Sequence, residues 1–283
     1  MSTLPIILFT FKYQLLLLVI GYFFRKNQNI KYTVFLLFIL YSTFQIISIT
    51  KVDTIPIILH AGGSVEGHDY YNTDTNIEEF YNNSTRLFEF DFMLSSDQEI
   101  ILVHKFEEPF YPDWNNQTRV DKSTFDAFLI LDQYQTLNLD ELLLILLDYE
   151  DLNIVIDTKE TDYINLYTKL IQEVMLFDES LLERMIPQLY SIAMYDQIEA
   201  LYTFQEYHYT TYKYEDSLTD IVSFINSTSS INIVTFPKEN LFHLLYLKNN
   251  VDNPLATHTI NSTFIAKLYL YHGAEYIFTD KIK

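Results

Sequence analysis

The sequence predicts an α/β fold: a (β/α)₈ TIM barrel over residues 52–283, preceded by a membrane anchor of two transmembrane helices in residues 1–51. Three observations predict it. From residue 55 onward, apolar runs of strand length alternate with segments of helical period, the pattern of a parallel sheet with crossover helices. Roughly 230 residues hold these units, a length that suits eight βα repeats closing on themselves. Charge changes abruptly near residue 52, because no Asp or Glu precedes it although the chain carries 38 of them against 18 Lys and Arg. A doubly wound open sheet is the alternative, but His60-Ala61-Gly62-Gly63 lacks the GxGxxG spacing of its phosphate turn.

The anchor comes first in the chain. Leu4 to Phe24 contains one charge, Lys12, and Tyr32 to Ile49 contains none. Each run approaches the length that crosses about 30 Å of hydrocarbon. A cleavable signal peptide is disfavoured because no small-residue cleavage site follows the first run. Arg25, Lys26 and Lys31 lie between the two runs and favour the cytoplasmic side. Both ends would then face outward, with the following domain outside the cytoplasm. One span with an interfacial segment is the competing arrangement. Five of the 18 basic residues lie before Val52, so 13 remain against 38 acidic ones beyond it. That balance argues against nucleic acid, which requires a basic footprint.

The elements after the anchor follow in order. Ile55 to His60 is a buried strand ended by the turn Ala61-Gly62-Gly63. Asn76 to Tyr81 is helical. Leu87 to Phe92 alternates apolar and acidic residues, as a strand of period two does. Ser95-Ser96-Asp97-Gln98 is a turn, and Ile100 to His104 the next strand. A helix over Leu139 to Leu147 and a strand over Asn153 to Asp157 follow, then a helix over Tyr163 to Phe177. Strand and helix pairs continue at 185–190 and 195–202, 207–212 and 218–225, and 231–236 and 238–247. A strand at 254–260, a helix at 263–271 and a strand at 274–278 complete nine candidate strands.

Polar residues at the strand ends locate the candidate chemistry. His60 ends the first strand, Glu89 and Asp91 share one face of the second, and His104 ends the third. Asp157 ends the fourth, with Lys159 two residues on. In a parallel barrel such ends meet on one rim. Converging carboxylates repel unless a cation compensates them, and an oxygen-only ligand set favours Mg²⁺ or Ca²⁺. Two histidines could exchange protons with a reacting group near neutral pH, and Lys159 could neutralise an anionic substrate. Each residue taken alone also has a structural reading, such as a hydrogen-bonded histidine or a capping aspartate. Their conjunction points to a site, as does the setting of Glu89 among Phe88, Phe90 and Phe92. The chain has no cysteine, which excludes disulfides, thiolate zinc sites and a Cys nucleophile.

These spacings resemble the glycerophosphodiester phosphodiesterase family. The matching run is His60-Ala61-Gly62, Asn72-Thr73, Glu89-Phe90-Asp91, Ser96-Asp97-Gln98, His104-Lys105, Asp157-Thr158-Lys159, and Gly273 through Thr279-Asp280. His-Ala-Gly-Gly, Pro187-Gln188-Leu189-Tyr190 and His258-Thr259-Ile260-Asn261 are similar to a divergent branch of that family. The resemblance covers about residues 55 to 281. It implies a barrel that hydrolyses a glycerophosphodiester or related polyol phosphate, with Glu89, Asp91 and Asp157 on a divalent cation. His60 and His104 would be base and acid, and Asn72, Lys159, Gln188 and His258 would contact substrate. A substrate hydroxyl beside the phosphorus would attack, and the second histidine would protonate the leaving alcohol.

Three positions depart from the family pattern: Ala61 replaces an Arg, Lys105 an Asp, and Asp157 a Glu. They fit a different substrate or a decayed site. Two other readings stand beside the first. One is a phospholipase of the C or D type acting on a lipid head group, with Phe106, Phe110, Tyr111 and Trp114 as a lipid-facing or simply packed loop. The other is a degenerate barrel serving as a binding module.

Overall fold

The computed structural model describes residues 3–23, 26–106, 119–213 and 216–282. Eight parallel strands close a barrel: β1 (Ile57–Leu59), β2 (Leu87–Leu94), β3 (Asn153–Thr158), β4 (Met185–Leu189), β5 (Tyr207–Thr210), β6 (Ile231–Pro237), β7 (Leu255–His258) and β8 (Tyr276–Thr279). Closure is direct, since β1 pairs with β8 through Ile57↔Ile277 and with β2 through Leu59↔Phe88.

Side-chain alternation explains why these segments make a barrel. On β2, Phe88, Phe90 and Phe92 join the large apolar core between strands and helices, while Glu89 and Asp91 take the opposite face and point inward. β3 repeats the pattern, with Ile154 and Ile156 outward and Val155 and Asp157 inward. Ile58, Val155, Ile233, Ala256 and Phe278 plug the interior. The acids of β2 and β3 lie above this plug, whereas His208 of β5 is buried beside Ile233 within it. The strand-to-helix turns are capped by short polar side chains: Asp162, Ser191, Ser217, Asn240 and Ser262 each accept a bond from a first-turn amide. Asn138 and Glu141 form a reciprocal capping box at the start of Leu139–Asp148. Ser191 starts its helix at Ile192–Glu199, earlier than the apolar pattern of 195–202 suggests.

One expected barrel strand is something else. Ile100–Leu102 pairs antiparallel with β2, Leu94 opposite Ile100 and Phe92 opposite Leu102. Parallel strands need a crossover of a dozen or more residues, and the five residues from Ser95 to Glu99 allow only a hairpin. Nine candidates thus become eight barrel strands and an antiparallel arm, which Leu137–Asn138 extends.

The N-terminal residues form helices, one of them of membrane-crossing length. Gln28–Thr50 is a single helix of 23 residues, long and apolar enough to cross a membrane. The expected first span is broken: Leu4–Thr10 and Lys12–Phe23 meet at 63°. The bend lets the first segment lie on the barrel, where Ile6 is buried, as is Ile49. Thr10 Oγ1 lies 2.9 Å from Nε2 of His272, the last residue of the barrel helix Thr263–His272. Gln45 ties the helices together, accepting from Gln14 and donating to the Thr10 carbonyl.

Candidate active site

The site is assembled at the C-terminal mouth of the barrel. Beyond β1 the chain turns through a short 3₁₀ segment, His60–Gly62, with Ala61 at φ 47° and Gly62 at φ 72°. A side chain at Gly62 would meet Phe90 at 2.9 Å and the Thr73 carbonyl at 3.0 Å, so a glycine is required there. The turn aims His60 inward. Its Nδ1 lies 2.7 Å from Asp280 Oδ1, just past β8, and its Nε2 lies 3.8 Å from Glu89 Oε2. Asn261 holds Asp280 in turn, donating to its carboxylate at 2.6 Å and accepting from its backbone N–H at 2.8 Å. Burial opposes a charge on His60, but Glu89 and Asp280 outweigh it and raise the imidazole to about 9.

Glu89, Asp91 and Asp157 share this mouth, Asp91 and Asp157 being register partners across β2 and β3. The Lys159 ammonium sits between the two aspartates, 2.8 Å from Asp91 Oδ1 and bonded to Asp157. Burial raises Asp91, yet Lys159, His104 and His60 together hold it below the usual carboxylate range. Burial also opposes the charge on Lys159, and Asp157 and Asp91 overcome it, lifting the group well above its ordinary value. Glu89 lacks such a partner: burial pushes it up to about 8, only partly countered by His60. Its Oε2 is buried without a hydrogen bond.

Asn72 and Gln188, expected at the substrate, instead position the carboxylates. Asn72 is fully buried; its amide donates to Asp91 Oδ2 at 2.8 Å and accepts from the Asp91 backbone N–H at 2.8 Å. Gln188 Nε2 donates to Glu89 Oε1 at 3.3 Å and to the Tyr190 hydroxyl at 2.9 Å, and that hydroxyl donates to Asp157. Both amides are therefore bonded to protein groups in this structure.

His104 reaches the mouth by an unexpected route. The antiparallel arm returns toward the barrel, and the Val103 N–H bonds the Asp91 carbonyl at 2.9 Å, setting His104 beside the acids. Tyr70 stands between the two histidines, its ring 4.9 Å from that of His60 and 4.5 Å from that of His104. His258 stacks on His60 at 6.3 Å and meets Tyr212 edge-on at 4.7 Å. Burial and the nearby His60 lower His258 to about 3, so it is neutral, and its Nε2 is buried without a partner. A cleft of about 580 Å³ opens beside these groups, lined by His104, Lys159, Tyr163, Tyr190, Tyr212 and Lys213. Lys213 lies 3.6 Å over the Tyr190 ring.

The sequence alone assigns no role to Tyr190, Tyr212 and Lys213 at the cleft, to Tyr70 between the histidines, or to Asp280 as the partner of His60. Asp280 lies within the Thr279-Asp280 pair and Tyr190 within Pro187-Gln188-Leu189-Tyr190, the signals the sequence carries for them. Tyr70 and Tyr212 are indistinguishable among 23 tyrosines. Phe106 is fully buried with Tyr71 and Phe125, so it belongs to a packed loop. Phe110, Tyr111 and Trp114 lie outside the described residues.

Among the described residues, no group of three acidic or histidine side chains is gathered as a ready cage for a metal. The donor chemistry still fits a hard divalent cation, because all three acids are oxygen donors and Glu89 Oε2 is unpaired. The Lys159 ammonium would have to leave its place between the aspartates.

Fold and site together define a (β/α)₈ barrel with carboxylates, a lysine and two histidines at its C-terminal mouth. This barrel is similar to solved glycerophosphodiester phosphodiesterases. The enzyme from Parabacteroides distasonis is 15% identical, with a TM-score of 0.63 over 81% of this chain and 93% of that one. The enzyme from Thermotoga maritima is 16% identical, with a TM-score of 0.58 over 81% and 95%. A phosphodiesterase from Oleispira antarctica, solved with the product sn-glycerol-3-phosphate, is 13% identical, with a TM-score of 0.63 over 79% and 92%. At such identities the likeness establishes the fold. No family model matches the chain, and no curated protein matches it.

Proposed function

We propose that the chain is a phosphodiester hydrolase acting on a glycerophosphodiester or related polyol phosphate. The observation that carries this reading is the pairing of His60 with Asp280 on one side and Glu89 on the other, with His104 across the same mouth. Asp280 fixes the His60 ring so that Nε2 faces the reacting centre. His60 and His104 divide the proton transfers, one taking the proton of the attacking hydroxyl and the other supplying the leaving alcohol. Lys159 and Lys213 present positive charge to the phosphoryl oxygens along the cleft, a role open because Ala61 offers none. Tyr190, kept protonated by burial and by Asp157, holds that carboxylate in place. A divalent cation, Mg²⁺ or Ca²⁺, held by Glu89, Asp91 and Asp157, would steady charge on the phosphoryl group. The N-terminal helices, as two spans, would hold the barrel on a membrane outside the cytoplasm, with Arg25, Lys26 and Lys31 on the inner side.

The test is hydrolysis of glycerophosphodiesters by the detergent-purified full chain with Mg²⁺ or Ca²⁺, beside a chelated sample and His60→Ala. Turnover that falls by about 10²-fold or more in both controls supports the reading. A folded chain that cleaves no such diester with either cation overturns it.

A further inference from the structure

The position of the N-terminal helices on the barrel decides which way the mouth faces. Each barrel helix runs back from the mouth, so its last turn lies at the opposite, closed base. The contacts of the N-terminal segment fall on such a last turn: Thr10 bonds His272, and the Phe9 ring meets the His272 ring at 5.0 Å. The linker after Thr50 also enters β1 from the base, where the Pro56 carbonyl accepts from Ile277. Beyond these contacts Lys12–Phe23 and Gln28–Thr50 pack on each other and expose Leu16, Leu18, Val19, Phe35, Leu36, Leu40 and Phe44. Gln28–Thr50 measures about 35 Å at 1.5 Å per residue, enough to cross a bilayer. A helix of that length whose one charged residue, Lys31, lies in its first turn fits lipid as its occupant.

The base carries a second sign of the same contact. Leu147, Phe177 and Leu176, the last 88% exposed, lie in the final turns of Leu139–Asp148 and Tyr163–Asp178. Leu201 follows the end of Ile192–Glu199, and Tyr271 closes Thr263–His272. All five are exposed and apolar at the base. Phe242 and Phe264 are the exposed aromatics at the mouth ends of their helices.

We infer that the base of the barrel rests on the bilayer and the catalytic mouth opens away from it, so the substrate is a water-phase diester rather than a lipid of the anchoring membrane. This rests on the phosphodiesterase and membrane readings above. It deepens them by separating a soluble glycerophosphodiester from an intact phospholipid.

The absence of cysteine makes the test clean. Thr161→Cys, at the mouth, and Leu176→Cys, at the base, bracket one helix of about 24 Å. Each full-length variant, labelled with a fluorophore, is placed in nanodiscs containing a head-group quencher. Several-fold stronger quenching at 176 than at 161 supports the orientation; equal or reversed quenching overturns it, as does failure of the chain to enter the discs. In parallel, unlabelled protein in phosphatidylglycerol nanodiscs receives soluble glycerophosphoglycerol. Cleavage of the soluble diester with no head group released from the host lipid supports the substrate class. Release from host lipid at a comparable rate overturns it. If neither diester is cleaved, the phosphodiesterase reading fails with the substrate class, and quenching still decides the orientation.

Discussion

At the scale of single residues, the site depends on what holds each reacting group. His60 is buried, and Glu89 and Asp280, helped by Asp91, offset the cost of a charge there. Asp280→Asn keeps the size but loses the carboxylate that fixes the Nδ1–H tautomer. It should lower kcat by about 10²-fold or more with an unchanged circular dichroism spectrum, and Asp280→Glu should recover part of the loss. Lys213 acts differently, being exposed over the Tyr190 ring at the edge of the cleft. Lys213→Ala should raise KM for an anionic diester several-fold and leave kcat nearly unchanged, because it touches the ligand without moving a proton. Steady-state kinetics on the two variants separate a positioning partner of the base from a binding contact. The sequence exposed His60, Glu89, Asp91, His104, Asp157 and Lys159 because each stands at or near the end of an apolar run. It hid Tyr70 and Tyr212, whose places come from three-dimensional proximity alone. It pointed to Asn72 and Gln188 but not to their partners, since nothing in a linear chain shows which carboxylate an amide bonds.

At the scale of elements, β2 is the organising strand. One face supplies Phe88, Phe90 and Phe92 to the core, and the other supplies two acids to the mouth. Phe90 also props the His60 turn, against which Gly62 sits. Phe90→Ala should therefore cost about 3–5 kcal/mol in urea or thermal unfolding. β5 makes a second prediction. His208 points into the barrel fully buried, neither ring nitrogen has a hydrogen bond, and burial lowers it to about 3. The unfolded chain protonates this histidine near 6.5, whereas the folded chain does not until about 3. Its effect on stability is therefore absent above about pH 6.5 and grows as a loss when pH falls below that, by at most about 1.4 kcal/mol per unit. His208→Leu should flatten the fall in unfolding free energy between pH 6.5 and 4.5, measured by denaturant titration; His258, neutral for the same reason, leaves part of the slope. The eight barrel strands were legible because period-two and period-3.6 patterns alternate cleanly. The antiparallel arm was not separated from them, although the shortness of the 95–99 turn carried that information.

At the scale of the whole molecule, charge and architecture oppose each other. The chain after Val52 holds 38 acidic residues against 13 basic ones, yet the cleft lining sets Lys159, Lys213 and His104 against one carboxylate, Glu160. A diester anion approaching from water meets the repulsive field of the body before the attraction of the cleft. Salt screens interactions between exposed charges beyond about 10 Å at 0.1 M but reaches partly buried pairs much less. Lys159 is partly buried and paired with Asp91 and Asp157, so the local attraction survives while the distant repulsion fades. Raising ionic strength from about 0.02 M to 0.2 M should therefore increase kcat/KM several-fold for an anionic diester such as glycerophosphoglycerol. A diester of zero net charge, glycerophosphocholine, should change little, since it carries no net charge for the body to repel. The pair of substrates makes the reading specific, because altered folding or cation binding would move both. A fall in kcat/KM confined to the anionic substrate would mean that the cleft lysines, not the acidic surface, govern its approach.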